Sequence, residues 1–303
     1  MRLFRTLALG ASVLVLLSAC STGGGSKPTI KIGSVGFDEA RVMAEIYAQA
    51  LEANGYTVNR DGIGLGDRSV LQPALESGQI DLQPEYIGSS LGSKAYGGTP
   101  TGDPAANRTA LQAILDGKGG GITVLDFTPA QDQNALVVRK ETADQYHLAT
   151  WGDLAAVQEE LKFGLANDCP TNPVCAQALK DRYGLDPKDV TLLDACSTPM
   201  ADALLKKTVD VAELCSTGPE IIVNGWVRLE DDKSTQPADN ISPLVRNDYL
   251  AKVDKTAFEK ILNDVSAKID TPTLAQLYYD VAIGHKDTKD VAAAWLKAAG
   301  IVK

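Results

Sequence analysis

The chain has 303 residues, 44% hydrophobic and 22% charged, with 29 Lys and Arg against 39 Asp and Glu for a net charge of -10. That balance excludes nucleic-acid binding, because no basic stripe is present to neutralise phosphates. It suits a cationic or zwitterionic ligand, although bulk charge chiefly reports solubility.

In chain order, Arg2 and Arg5 precede the apolar run "LALGASVLVLLSA", which has the layout of a secretory signal over residues 1–19. The run is too short for a membrane span of about 20 residues. Leu17-Ser18-Ala19-Cys20 resembles a bacterial lipobox, which implies cleavage before Cys20 and acylation of that cysteine. Residues 20–27 then read as a flexible tether, "CSTGGGSK". Beyond them, strand-like and helix-like segments alternate. "TIKIGSV" is a strand, "DEARVMAEIYAQALEAN" a helix stopped by Gly55, "YTVNR" a strand and "RSVLQPALESG" a second helix. "IDLQPEYIG", "ITVLDF" and "ALVVRK" return as strands, followed by helical "WGDLAAVQEEL", the strand "KFGLAN" and helical "PVCAQALKDRYG". "VTLLDAC" and "VDVAELC" are strands flanking "PMADALLKK"; "WVRLEDD" and "ISPLVR" precede three closing helices. The pattern is α/β with parallel strands, whose ligands bind outside the strands' carboxyl ends. A mature chain of about 280 residues is long enough for two lobes.

Four cysteines remain after Cys20: Cys169, Cys175, Cys196 and Cys215. An even number in an exported chain reads as disulfides, with three connectivities open. Zinc is the rival, but no C-x-x-C pair exists and His147 and His285 lie elsewhere. A strand–helix–strand unit sets adjacent parallel strands about 4.8 Å apart, so their ends meet the Cα separation a disulfide needs. The expected pairs are therefore Cys196–Cys215 and, within "CPTNPVC", Cys169–Cys175.

Three stretches carry a family resemblance. "IKIGSVGFDEARVMAEIYAQALEANGYTV", "LGDRSVLQPALESGQIDLQPEYIGSSL" and "LCSTGPEIIVNGWVRLEDDKSTQPADNISPLVR" together resemble the ProX-type substrate-binding lipoproteins of osmoprotectant ABC importers, which take glycine betaine, choline and carnitine. "TPAQDQNALVVRK" adds an outgoing crossover. The resemblance implies a type II-like periplasmic-binding-protein clamshell with two hinge crossovers, at "QNALVV" and "CSTGPEI". Lobe one would hold residues 28–130 and 221–303, and lobe two residues 131–220. It further implies a lipid-anchored monomer on the extracytoplasmic face of the cell membrane, closing on a small molecule and docking on a permease with its ATPase subunit.

The family's aromatic cage maps Tyr86, in "EYIGSS", onto one wall, with Phe37 as a second candidate. Relatives carry Tyr-Ser-Thr where this chain has Cys215-Ser216-Thr217, so one wall is replaced. Polar candidates are Asp132 as a carboxylate toward a cation, Arg68 as a fork donor, and the hydroxyls of Ser89, Ser216 and Thr217. Ser34 and Glu39 flank the first strand-to-helix loop, where Glu39 is equally a first-turn helix acid. With the cage incomplete, a polyol or polyphenol is an alternative ligand, and a scaffold lipoprotein outside transport an alternative role. An enzyme is the remaining rival, but the chain lacks G-x-S-x-G, a P-loop and H-E-x-x-H. No catalytic residue, metal or cofactor is expected.

Overall fold

The computed structural model describes residues 27–302. The signal segment, Cys20 and most of the tether lie outside them. The strands in chain order are β1 (Ile30–Val35), β2 (Val58–Gly66), β3 (Leu82–Tyr86), β4 (Ile122–Val124), β5 (Asn134–Val138), β6 (Phe163–Ala166), β7 (Val190–Leu193), β8 (Val211–Cys215), β9 (Val227–Arg228) and β10 (Ile241–Arg246). They form two five-stranded sheets, ordered β2-β1-β3-β10-β4 and β7-β6-β8-β5-β9.

The sheets are mixed rather than purely parallel. β10 runs antiparallel between β3 and β4, and β5 antiparallel between β8 and β9. The reason lies in where the chain enters each lobe. β3 and β8 end at the edge between the lobes, while β5 and β10 begin there: Asn134 pairs Cys215, and Ile241 pairs Tyr86. A strand that starts at that edge must run against those that finish at it.

Helix α1 (Asp38–Ala53) buries Val42, Met43, Ile46, Tyr47 and Leu51 completely, because the three C-terminal helices cover the face that the sheet leaves open. The Tyr47 hydroxyl, taken out of water there, is paired with Ser266 at 2.8 Å. Helix α2 (Arg68–Ser77) starts on the Asp67 carboxylate, which accepts from the Ser69 amide, and stops at Gly78, whose φ of 81° suits a residue without Cβ. In the second sheet β5 alternates strictly. Leu136 and Val138 face one apolar cluster, Ala135 and Val137 the other.

Three expectations need correction. Residues 151–161 form two short 3-10 turns, Gly152–Ala156 and Gln158–Glu160, rather than a helix. The buried Trp151 and Leu154 and the half-buried Val157 recur every third residue, which suits that tighter winding. "PVCAQALKDRYG" is helical as expected, but with π-type hydrogen bonding over Pro173–Gln177 and Leu179–Tyr183.

The return crossing is also displaced. "CSTGPEI" ends β8 and begins the helix Pro219–Asn224, after which β9 pairs with β5 and Glu230 still bridges Thr150. Trp226 and Leu229 are buried in the second lobe's core. Residues 226–230 therefore stay with the second lobe rather than with lobe one, while the helix Pro219–Asn224 packs against the helix Thr271–Ala282 of lobe one, and the chain recrosses over 231–240. There the two crossing segments run side by side: Gln131 pairs Asn240, and the Asp132 amide donates to the Asp239 carbonyl at 3.1 Å.

Both expected cysteine pairs are bridged, Cys169–Cys175 with Cα atoms 5.0 Å apart and Cys196–Cys215 with 4.9 Å. The geometry behind the second differs from the expectation, since β6 separates β7 from β8. The turn after β7 crosses the end of β6, with Cys196 in the left-handed region at φ 54° and its amide donating to the Glu213 carbonyl.

Candidate functional site

The strand ends leave a cleft of about 850 Å³ between the lobes. Phe37, Arg68, Tyr86 and Ser89 line it from lobe one, Asp132 and Asp239 from the two crossings, and Asn134, Asp168, Asn172 and Cys215 from lobe two. Phe37 precedes the first turn of α1 and is 41% exposed. Its ring lies 5.6 Å from that of Tyr86, which closes β3.

Beneath these rings sits a group of carboxylates. Glu39 is fully buried and accepts from the Tyr86 hydroxyl at 2.5 Å through Oε1; its Oε2 has no partner among the described residues. Thr217, also buried, donates to Asp132 at 2.8 Å. The Ser89 amide and hydroxyl both donate to Asp239, at 2.9 and 2.5 Å. Burial pushes the Glu39 carboxyl well above the ordinary range, and the Asp132 charge adds to it, against the Tyr86 bond and the nearby Thr217 hydroxyl. Asp132 is raised by burial too. Asp239 is pushed up to about 7, first by burial and then by the charges of Asp132 and Glu85, with the Ser89 bonds opposing.

Arg68 does not offer a free fork. Its Nη2 lies 2.8 Å from Glu85, a buried carboxylate that also accepts from the Tyr86 amide. Ser216 does not face Tyr86 across the cleft as expected. Its hydroxyl donates to the Gln131 carbonyl and accepts from the Gln133 amide, which stitches β8 to the outgoing crossing beside a different cavity of about 520 Å³. Thr217 and Glu39 form the cleft's underside rather than its lining. Ser34 is spent on backbone, donating to the Val35 carbonyl and accepting from the Gly64 amide.

Five residues of the site were not singled out from sequence: Glu85, Asp239, Asp168, Asn172 and Asn134. Glu85 had a usable signal, since strand alternation puts it on one face with Gln83. Asp239, in "PADN", sits in irregular chain and carried none.

Two α/β lobes joined by paired crossings around a polar cleft are the architecture of the two-lobed periplasmic binding proteins. Residues 28–298 match the substrate binding domain of ABC-type glycine betaine transport systems, and the chain belongs to that family. It is 29% identical over 311 residues to the glycine betaine-binding protein YehZ of Escherichia coli K12, covering 98% of this chain and 99% of that one. It is 27% identical to the carnitine transport binding protein OpuCC of Listeria monocytogenes, over 97% and 95% of the two chains. The solved structure of apo YehZ superposes with a TM-score of 0.78 at 25% identity, over 90% of this chain and 99% of that one. No helix among the described residues is long and apolar enough to cross a membrane.

Proposed function

We propose that the chain captures a quaternary ammonium osmoprotectant in the interlobe cleft, closes on it and presents it to the permease of an ABC importer. The observation that supports this is the Phe37–Tyr86 ring pair, 5.6 Å between centroids, set among the carboxylates of Asp132 and Asp239. A methylated ammonium group cannot donate hydrogen bonds from its nitrogen, so ring faces and nearby negative charge are what bind it. A cation over a ring face gains about 0.5–2 kcal/mol. Closure would bend the two crossings, which are short, adjacent and common to both lobes.

Anchoring through Cys20 and action as a monomer complete the reading, and both rest on the sequence. Cys20→Ser should abolish labelling by a fatty-acid analogue in the expressing cell. The ligand class is tested by a thermal-shift screen against glycine betaine, choline, carnitine, proline betaine and polyols. A true ligand at a hundred times its dissociation constant adds about 2.7 kcal/mol of stability. A shift with polyols and none with any quaternary ammonium compound would overturn the reading.

A further inference from the structure

We propose that the carboxylates of this cleft select a ligand of net positive charge over a zwitterion of the same size, and that such a ligand enters in exchange for a proton. The inference rests on the quaternary ammonium reading above and names the charge class within it. Three carboxylates line the cleft, Asp132, Asp168 and Asp239, against one cation, Arg68. That cation is already held by Glu85 at 2.8 Å. A ligand's own carboxylate therefore meets negative charge and no free guanidinium or ammonium group in the lining.

The underside adds to the imbalance. Glu39 is completely buried, and its Oε2 has no partner among the described residues. Around it stand Tyr86 of β3, Asp132 and Asp239 of the crossings and Tyr278 of the helix Thr271–Ala282, and Tyr278 in turn lies near Asp38 of α1 and Glu220 of the helix Pro219–Asn224. On the far wall Asp168 lies near Glu213, which accepts from Asn134 and the Ala166 amide. None of these neighbours is a cation. Clustered carboxyls taken out of water cannot all ionise, so the empty cleft retains protons. The raised Glu39 and Asp132 carboxyls and the Asp239 carboxyl near 7 agree with this. A cationic head supplies the missing countercharge, whereupon an acid O–H of the cluster passes its proton to solvent and becomes carboxylate. A zwitterion brings an anion with its cation and gains less from the exchange.

Calorimetry on the purified exported protein tests this with three probes: choline, glycine betaine and 3,3-dimethylbutan-1-ol, the neutral carbon isostere of choline. Runs in two buffers of different ionisation enthalpy count the protons released. Choline should bind at least about tenfold tighter than either other probe at about pH 8, and should weaken about tenfold by about pH 5.5, as expected for one linked proton over a unit or more. Proton release should fall in Asp132→Asn and, independently, in Asp239→Asn, with thermal melts confirming that each variant is folded. Glycine betaine binding as tightly as choline, with heats independent of buffer, would overturn the charge selection and leave the quaternary ammonium reading standing. Binding of neither quaternary compound to the folded wild type would overturn both.

Discussion

The phenol of Tyr86 donates to Glu39 across 2.5 Å, tying the end of β3 to the first turn of α1 beneath the cleft. One side chain thus presents a ring to the cleft and a hydroxyl to a buried acid. Tyr86→Phe separates the two roles. It should leave quaternary ammonium affinity within about threefold, because the ring stays, yet cost about 1–3 kcal/mol of stability through the unpaired buried acceptor. Tyr86→Ala should weaken binding by about 0.5–2 kcal/mol. Calorimetry and urea melts on both variants read these effects; lost binding in Tyr86→Phe with unchanged stability would make the hydroxyl the ligand contact.

Gly88 marks a close approach between the helix Ile87–Leu91 and the return crossing. A Cβ there would stand 2.4 Å from the Ala238 carbonyl oxygen and 3.1 Å from an Asp239 carboxylate oxygen. Since the obstacle is backbone, Gly88→Ala must displace the segment that holds Asp239. It should cost about 1–3 kcal/mol, in the range of overpacking, and weaken ligand binding as well. Gly117→Ala, with nothing within 4 Å of the new Cβ, is the control. It should be neutral or stabilise by up to about 1 kcal/mol.

The raised Asp239 gives the empty protein an unusual pH response. Its carboxyl titrates at about 7 in the fold against 3.8 for the ordinary group, so between those values the folded state holds more protons than the unfolded. Its contribution is fully present below about 3.8 and is lost as pH rises through about 7. The melting temperature should therefore fall from about pH 5.5 to about pH 8, and Asp239→Asn should flatten that slope. A melting temperature that rises over the same interval in wild type would contradict the assignment.

The two disulfides should differ in what their loss does. Cys196–Cys215 spans 19 positions and is worth up to about 3 kcal/mol in the chain-entropy model. Cys169–Cys175 spans 6, so its loop-closure contribution is smaller. Cys215 also lines the cleft opposite Tyr86's strand end. Paired Cys→Ser variants of the longer bridge should lose both stability and ligand affinity in melts and titrations. Those of the shorter bridge should lose less stability, yet also some ligand affinity, because Asn172 within its loop and the adjoining Asp168 line the cleft.

Local pattern determined most of the strands and helices in chain order, the glycine stop at Gly78 and the three closing helices, because each depends on which face of a short segment is buried; the helix Pro104–Gly117 was not legible in it. The stretch from Leu82 to Tyr86 was readable as a strand ending in an aromatic residue for the same reason. Sheet order was not readable. That β10 lies antiparallel beside β3, or that β6 separates β7 from β8, depends on the edge at which the chain enters each lobe, and no residue of those strands records it. The same limit hid the site. Glu39 and Tyr86 are 47 positions apart, and Ser89 meets Asp239 across 150. Their hydrogen bonds, the engagement of Arg68 by Glu85 and the rise of the buried carboxyls exist only once folding has removed water from between elements far apart in the chain.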